Sequence, residues 1–325
     1  MTRPRRDPAP RRAPISPAAE RAGGTLALAA GGARVELAPA AGGAIAGYTF
    51  GDVPVLRPTA ADARLAGDVG RHACYPLVPY SNRIAGGRLT FGGATHALAR
   101  NFGDHPHPIH GVGWQRPWTV VAAAADAAVL ALEHAATGGD AAAWPWPFRA
   151  TQAFALTADP RGATLTAKLA LRNSGPVAFP FGLGWHPFFP QRPGTVLGFA
   201  ADGVWATDST QLPLRHEAIP EPWRFDPPRA LGATLLDNVF TGWRGRATLR
   251  DPERGPEMTI AADRACAFLV VYVPGGRDFV AVEPVTHMTD AFNRAAGGER
   301  GTGTRVLEPG AAFSCTMQIS VVVRS

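Results

Sequence analysis

The chain has 325 residues, of which 46% are hydrophobic and 18% are charged, and its formal net charge is +6. This composition is typical of a globular protein and excludes a largely disordered chain, and no run of 18 apolar residues predicts a membrane-spanning helix. The length fits one large domain or two ordinary ones, because β-sandwiches often exceed 200 residues as single domains.

The first 22 residues carry most of the net positive charge. They contain six arginines against Asp7 and Glu20, which leaves only about +2 for the remainder of the chain. The basic character therefore belongs to one terminal segment and does not indicate a nucleic-acid partner. Arginine, proline and alanine without apolar periodicity bury too little surface to offset the entropy of ordering, so residues 1–22 are expected to form a disordered tail.

The same tail lacks the marks of an export signal. A signal peptide needs a continuous apolar segment followed by a small-residue cleavage site, whereas this segment continues with proline, glutamate and arginine. The three cysteines, Cys74, Cys266 and Cys315, are too widely spaced in the sequence for a disulfide framework or a C-x-x-C metal site. We therefore expect a cytoplasmic protein.

Beyond the tail, alternation of apolar and polar residues predicts antiparallel strands. The first are expected near residues 25–29, 33–37 and 43–49. In "ATLTAKLALRN" (163–173) leucine and alanine alternate with threonine and lysine, and "FSCTMQISVVV", which ends at Val323, alternates in the same way. "CAFLVVYVP" and "DFVAVEP" are more continuously apolar, as strands covered on both faces are.

These elements predict a single all-β domain over residues 23–325. No composition break, linker or fixed-period repeat interrupts it, and 37 glycines and 31 prolines supply the turns that many short strands require. The expected fold is a large antiparallel β-sandwich with few short helices, such as one at residues 289–296.

Five stretches place polar residues of catalytic types among glycine, proline and aromatic residues at the ends of predicted strands. They are residues 75–87, 105–118, 182–190, 235–243 and 282–293. Side chains at strand ends are well placed to line a site, because the connecting segments carry most binding and catalytic residues.

Two of these stretches contain groups that exchange protons. His186 lies in "GLGWHPFFP", and an imidazole has an ordinary pKa close to neutral, so it either gives or takes a proton readily. The alternative is a core histidine bonded to a backbone carbonyl. Glu283 follows an apolar run and precedes Pro284, so the strand is expected to turn there and leave the carboxylate at the rim of the sheet.

Five motifs resemble those of the aldose 1-epimerase (mutarotase) family in their residues and in their order along the chain. The resemblance extends over nearly the whole chain from about residue 25. The matching positions are S-N-R-I at residues 81–84, His110, Gly111 and Trp114, G-x-H-P-F-F at 184–189, Asp237 with Phe240 and Trp243, and Glu283, Pro284 and Thr286 with D-A-F-N at 290–293. The resemblance implies a large twisted β-sandwich of the galactose mutarotase-like kind, whose concave face holds a monosaccharide.

Interconversion of the α and β anomers of a sugar removes the proton of the C1 hydroxyl and protonates the ring oxygen, so that the ring opens, C1 turns and the ring closes again. A carboxylate base and an imidazolium acid suffice, and no metal or cofactor is needed. The resemblance assigns the role of base to Glu283 and the role of acid to His186. If the two groups lie close together, their opposite charges are expected to lower the pKa of Glu283 and raise that of His186.

The resemblance also identifies charged residues that would bind the sugar. Arg83 offers two parallel donors to hydroxyl groups, and Asp237 accepts from two adjacent hydroxyls. Without a ligand role, Arg83 would form a surface ion pair and Asp237 would form an Asx turn.

Four more residues complete the expected binding set. His110 matches the family's second histidine, which holds the ring-oxygen side of the sugar, and Asn82 belongs to the same motif as the arginine. Trp114 and Trp185 would either stack on a sugar face or pack in the core.

The spacing of the histidines allows another interpretation. His105, His107 and His110 form H-x-H-x-x-H, which would hold zinc if a fourth ligand came from elsewhere. The intervening prolines predict an extended loop rather than a preformed helical pair of ligands.

Two further alternatives share the fold. A carbohydrate-binding module would use the same groove without turnover, and it would need no acid and base together. A sugar-phosphate epimerase would need two or more cationic side chains converging on the phosphate, for which Arg83, Arg88 and Arg116 are the candidates near the motifs.

Overall fold

The structure of the chain is a computed structural model that describes residues 20–21, 24–251 and 256–323. The tail predicted at residues 1–22 lies outside this part of the chain, apart from residues 20–21, whose backbone forms a short strand. The disorder of the tail therefore stays a prediction.

Strands make up most of the regular secondary structure of the described chain. In chain order they are β1 (Glu20–Arg21), β2 (Thr25–Ala30), β3 (Ala33–Ala38), β4 (Ala44–Phe50), β5 (Val53–Pro54), β6 (Pro76–Leu77), β7 (Arg88–Phe91), β8 (Ala94–Ala97), β9 (Thr119–Ala123), β10 (Ala127–His134), β11 (Phe148–Asp159), β12 (Gly162–Asn173), β13 (Phe179–Phe181), β14 (Gly184–Trp185), β15 (Phe188–Pro190), β16 (Val196–Phe199), β17 (Gly203–Thr207), β18 (Pro213–Glu217), β19 (Arg229–Ala230), β20 (Leu236–Thr241), β21 (Arg246–Arg250), β22 (Glu257–Ala262), β23 (Phe268–Val273), β24 (Phe279–Val285), β25 (Arg305–Leu307) and β26 (Ala312–Val322). The helical elements of the same residues are short: α1 (Ala61–Ala66), α2 (Gly139–Ala143), α3 (Ala291–Ala296) and single 3-10 turns at Val69–Arg71, Ala85–Gly87, Gly113–Gln115 and Glu221–Trp223.

Two large antiparallel sheets form the sandwich. The larger has the strand order β19-β16-β21-β22-β26-β12-β11-β10-β9, and the second has the order β18-β17-β20-β23-β24-β14-β6, with β15 also paired to β24. Strands β1 to β5 form a separate meander, and β7-β8 and β13-β25 are two-stranded ribbons. Apolar side chains from these sheets pack into one continuous core, so the predicted all-β sandwich is confirmed.

The alternation of the sequence predicts which side chains face this core. β2, β3 and β4 start at or next to the predicted residues. In β12, Leu165, Leu169 and Leu171 are buried and Lys168 is exposed, as a half-buried strand requires. The helix predicted near the end of the chain is confirmed as α3, which is a turn and a half long.

The strand that carries Glu283 does not end at this residue, contrary to the expectation. β24 continues to Val285, and Glu283 is only 2% exposed, so the carboxylate is not at the rim of the sheet. In the register of the sheet Pro284 lies opposite Trp185, the last residue of β14. The N–H groups of Val282 and Thr286, on either side of the proline, donate to the carbonyls of Pro187 and Leu183, so pairing continues past the one position that cannot donate a bond.

No helix in the ranges described above is long and apolar enough to cross a membrane. The three cysteines are buried free thiols. Although they are far apart in the sequence, the fold places Cys266 in side-chain contact with Cys315.

Candidate active site

One face of the second sheet forms the floor of a cavity. Its central strand, β24, pairs with β14 and β15 in one common register. The paired positions are Gly184 with Val285 and Phe188 with Ala281. The residue midway between the two pairs, His186, therefore lies opposite Glu283, and antiparallel partners project their side chains to the same face. The register of the sheet thus brings together two residues that are almost a hundred positions apart.

Asp237 reaches the same face from β20. It is paired with Tyr272 of β23, which is paired in turn with Ala281 of β24. The aspartate is inside a regular strand, so it does not form the Asx turn that was the alternative.

The predicted tryptophans lie in two different environments. Trp114 lines the cavity, and its ring stacks on that of Tyr75 with centroids 5.4 Å apart. Trp185 does not line the cavity: it is 1% exposed and precedes His186, and neighbouring residues of an extended chain project to opposite faces. The structure therefore places Trp185 in the core, away from the other predicted site residues.

Glu283 and His186, here called the proton-transfer pair, are in direct contact. The distance between His186 Nε2 and Glu283 Oε1 is 3.2 Å, and both residues are buried. Glu283 Oε2 and His186 Nδ1 are buried as well, and neither has a hydrogen-bond partner in the described part of the chain. Buried polar atoms without partners are uncommon, and a catalytic role is one explanation for them.

The environment of the pair shifts both pKa values against the expectation. Burial raises the pKa of Glu283 well above its ordinary value, and the negative charge of Asp237 raises it further, while Arg83 opposes this. Burial lowers the pKa of His186 to about 3, and the positive charge of Arg57 adds to the effect. The expected shifts were wrong because desolvation outweighs the mutual attraction of the pair. Between these pKa values the pair holds one proton.

Arg83 is held by three partners at the edge of the cavity. Its Nη2 lies 3.5 Å from Asp237 Oδ2, its Nη1 donates to Asn82 Oδ1 at 3.0 Å, and its Nε donates to His105 Nε2 at 3.4 Å. Only 13% of the arginine side chain is exposed, so this is not a surface ion pair. The guanidinium is fixed in orientation before any sugar is bound.

The three histidines of the H-x-H-x-x-H spacing all form hydrogen bonds to the segment that carries Arg83, residues 82–86. His110 Nδ1 accepts from the backbone N–H of Asn82 at 3.0 Å, and His107 Nδ1 accepts from that of Gly86 at 2.9 Å. His105 receives the bond from the arginine described above. Among the residues of known position, no three His, Cys, Asp or Glu side chains are grouped to hold a metal ion. The structure thus gives these histidines a positioning role.

His110 also presents a donor to the cavity. Because Nδ1 accepts a hydrogen bond, the neutral ring carries its hydrogen on Nε2. Burial lowers the pKa of His110 well below its ordinary value, so the ring is neutral. His110 and Asn82 both adopt left-handed backbone conformations, at φ 63° and 60°, and the N–H of the histidine donates to the carbonyl of Asn82 at 2.9 Å. Such strained backbone persists where surrounding contacts determine it.

The D-A-F-N motif supports the same segment from the far end of the chain. The N–H of Asp290 donates to the carbonyl of Arg83 at 3.0 Å, and its Oδ1 accepts from the N–H of Ala85 at 3.0 Å. Asn293 Oδ1 accepts from the N–H of Thr90 at 2.8 Å. Neither side chain lines the cavity, so the motif positions Arg83 rather than contacting a ligand.

The cavity has a volume of about 340 Å³ and combines aromatic walls with charged groups. Besides Asn82, Arg83, His110, Trp114, His186, Asp237 and Glu283, it is lined by Arg57, Gly70, Arg71, Tyr75, Phe102, Ile109, Phe188, Val270, Tyr272, Arg277 and Phe279. All predicted catalytic and binding residues except Trp185 therefore line one cavity.

Three lining arginines were not predicted: Arg57, Arg71 and Arg277. Arg277 had a usable signal, because it lies in the five-residue turn that leads into the strand of Glu283. The other two come from segments before the first motif, with no sequence pattern linking them to the site. Conversely, Arg88 and Arg116, which were candidates for binding a phosphate, do not line the cavity.

Comparison with known proteins agrees with this geometry. A family model described as aldose 1-epimerase matches residues 25–320. YphB of Escherichia coli K12, a protein described as uncharacterized, is 32% identical over 288 residues, which cover 86% of this chain and 93% of YphB. A solved structure of a candidate aldose 1-epimerase from Escherichia coli K12 is 29% identical, with a TM-score of 0.82 over 92% of this chain and 99% of the other. A galactose mutarotase-like protein from Clostridium acetobutylicum shares the fold, at 18% identity and a TM-score of 0.79 over 92% of this chain and 95% of its own. The chain therefore belongs to the aldose 1-epimerase family.

Proposed function

We propose that the protein is an aldose 1-epimerase, or mutarotase, that interconverts the α and β anomers of a monosaccharide. The observation that carries the proposal is the contact of 3.2 Å between His186 and Glu283, buried side by side in the wall of a cavity of sugar size. A carbohydrate-binding module would bury these groups at a cost in free energy and gain no chemistry from them.

The reaction conserves the single proton of the pair. In the reactive form of the pair, the shared proton has passed from Glu283 to His186 across their contact. Glu283 then takes the proton of the C1 hydroxyl while the imidazolium of His186 protonates the ring oxygen, and the bond between C1 and the ring oxygen breaks. The pair then consists of a neutral carboxylic acid and a neutral imidazole, which is the form that burial favours. After rotation about the C1–C2 bond, Glu283 returns its proton to the carbonyl oxygen and His186 removes the hydroxyl proton as the ring closes. No net proton enters or leaves.

The remaining lining residues orient the sugar for these transfers. Glu283 Oε2, which has no other partner within the described ranges, would accept the proton from the C1 hydroxyl. The Nε2–H of His110 would donate to the ring oxygen or the C1 oxygen. Arg83 and Asp237 would bind adjacent hydroxyls, the first as donor and the second as acceptor.

The test is the rate of exchange between anomers, measured by two-dimensional exchange NMR on a panel of aldoses with and without the protein. Glu283→Gln keeps the shape of the side chain and cannot accept the proton, so the catalysed rate is expected to fall by about a hundred-fold or more. His186→Asn is expected to cost a similar factor.

A matched control is Glu133→Gln, which makes the same chemical change on an exposed residue of β10 outside the cavity. Its rate should equal that of the unmodified protein. A folded Glu283→Gln variant with full activity would remove Glu283 from the mechanism, and a protein that binds aldoses without accelerating exchange would be a binding module.

A further inference from the structure

The four arginines that line the cavity differ in their charge balance. Arg83 faces Asp237 at 3.5 Å, and Arg71 binds Asp62 through two contacts of 2.7 and 3.1 Å. Arg57 and Arg277 form no salt bridge with any carboxylate of the described residues. We call Arg57, Arg71 and Arg277 together the arginine end of the cavity.

Arg57 and Arg277 are held on the same aromatic ring. Their Cζ atoms lie 4.4 and 5.6 Å from the centroid of Phe279, and Arg57 also lies 3.9 Å over Phe188. Aromatic faces stabilise guanidinium groups without neutralising their charge. Asp278 acts on Arg57 through space but is not in salt-bridge contact with it. Two like charges thus face one region of the cavity, and neither is in salt-bridge contact with a carboxylate of the described residues.

The orientation of Arg57 is fixed by the backbone. Its Nη2 donates to the carbonyl oxygens of His72 at 2.8 Å and Gly70 at 3.3 Å, while its buried Nε has no partner among the residues described. Burial, Arg277 and Arg71 lower the pKa of Arg57 to about 10, so it remains charged at neutral pH. A fixed guanidinium with unused donors is suited to a planar or tetrahedral oxyanion.

A stacked column relates this end of the cavity to the reacting atoms. The ring of Phe188 stacks on His186 with centroids 4.4 Å apart, and Arg57 lies on the ring of Phe188. The guanidinium and the catalytic imidazole therefore both pack on the ring of Phe188, at 3.9 and 4.4 Å from its centroid. An anion held there would be attached to the side of the sugar remote from C1.

We propose that the arginine end binds an anionic substituent of the aldose, so that the preferred substrates are aldoses bearing a phosphate, sulfonate or carboxylate group away from C1. The inference rests on the proposed function and specifies its substrate class. The proton-transfer pair is the same for every substrate, and the arginine end decides which sugar is bound most tightly.

The experiment compares kcat/KM for anomer exchange of glucose, glucose 6-phosphate and glucuronate, which differ only at C6. We expect at least one anionic sugar to be favoured over glucose by about tenfold or more, with the advantage shrinking as salt is added. The two anionic sugars distinguish a phosphate site from a carboxylate site.

Arg277→Glu reverses the charge of an exposed member of the arginine end, and the preference for the anionic sugar over glucose is expected to fall by about tenfold or more. Arg264→Glu is the matched control, because it makes the same charge change at an exposed arginine outside the cavity and should leave the preference unchanged. Arg57→Lys provides a second variant that keeps the charge and removes the forked donors.

The outcomes separate the inference from the proposed function. Equal kcat/KM for all three sugars, or an equal effect of Arg277→Glu and Arg264→Glu, would overturn the inference and leave the epimerase proposal intact. If no sugar is turned over, the epimerase proposal fails, and calorimetric binding decides the inference. In that case, the inference is supported if an anionic sugar binds more tightly than glucose and Arg277→Glu removes this difference. It is refuted if the anionic sugars bind no more tightly than glucose.

Discussion

Acidification is expected to destabilise the protein through His287, which is buried and plays no part in the proposed reaction. Its Nε2 accepts from the backbone N–H of Ser81 at 3.1 Å, and its Nδ1–H donates to the carbonyl of Met288 at 2.6 Å. If Nε2 bound a proton, its N–H group would point at the backbone N–H of Ser81 and the hydrogen bond would be lost. Burial lowers the pKa of His287 to about 4 from an ordinary value of 6.5, although the bond to the carbonyl of Met288 opposes this shift.

The sign and size of the effect follow from linkage between protonation and folding. The unfolded chain binds the proton near pH 6.5 and the folded chain only near pH 4, so the stabilising contribution is complete above pH 6.5 and is lost as the pH falls toward 4. The shift corresponds to about 3 kcal/mol of the free energy of unfolding. Urea unfolding of the protein and of His287→Gln at a series of pH values measures it.

The comparison with the variant isolates His287, because all other buried titrating groups are common to both proteins. We expect the free energy of unfolding to fall by about 3 kcal/mol more in the unmodified protein than in His287→Gln between neutral pH and pH 4. Parallel curves would show that His287 does not have the depressed pKa on which the reasoning depends.

Three further results are expected. The rate of anomer exchange should fall as the pH rises through the raised pKa of Glu283, where the proton-transfer pair loses its one proton; a rate that rises through pH 6.5 like an ordinary histidine base would contradict this. Asp290→Ala should raise KM by about tenfold with a smaller change in kcat, because it loosens the Arg83 segment, and Asp290→Asn should recover part of the loss; equal losses in both variants would refute the positioning role. Gly111→Ala should destabilise the loop of His110 by about 2 kcal/mol, since at φ 67° its new Cβ would lie 2.5 Å from a backbone oxygen, whereas Gly103→Ala at φ 50° meets no atom within 4 Å and should cost less in thermal melting.

The sheet could be predicted from the sequence because alternation is a local property. The burial of the leucines in β12 and the position at which β3 begins both depend on which residues must avoid water, and neighbouring strands alter these features little. Glu283 shows the limit: a proline after an apolar run usually ends a strand, but the bonds that Val282 and Thr286 donate on either side of Pro284 keep β24 paired through it.

The grouping of the candidate site residues could be predicted further than their electrostatics. His186 and Glu283 were identified from motifs, but their pKa values depend on desolvation and on Arg57, which the sequence places far away. The choice between sugar stacking and core packing for Trp185 stayed open in the sequence, because a motif names residues without saying which face of the sheet each one occupies. The pKa values and the face that each residue occupies are properties of the assembled sheet rather than of any one segment.

In the proposed mechanism, the location of Glu283 on an inner strand separates the reaction from the choice of sugar. β24 is paired along both edges, so substitutions around it are constrained by two neighbours. Arg71 and Arg277 lie instead in surface turns, which tolerate sequence change during evolution. Divergence of such turns would produce enzymes that share one reaction and differ in substrate. A library intended to alter specificity should therefore vary residues 69–71 and 274–278 and leave β24 untouched.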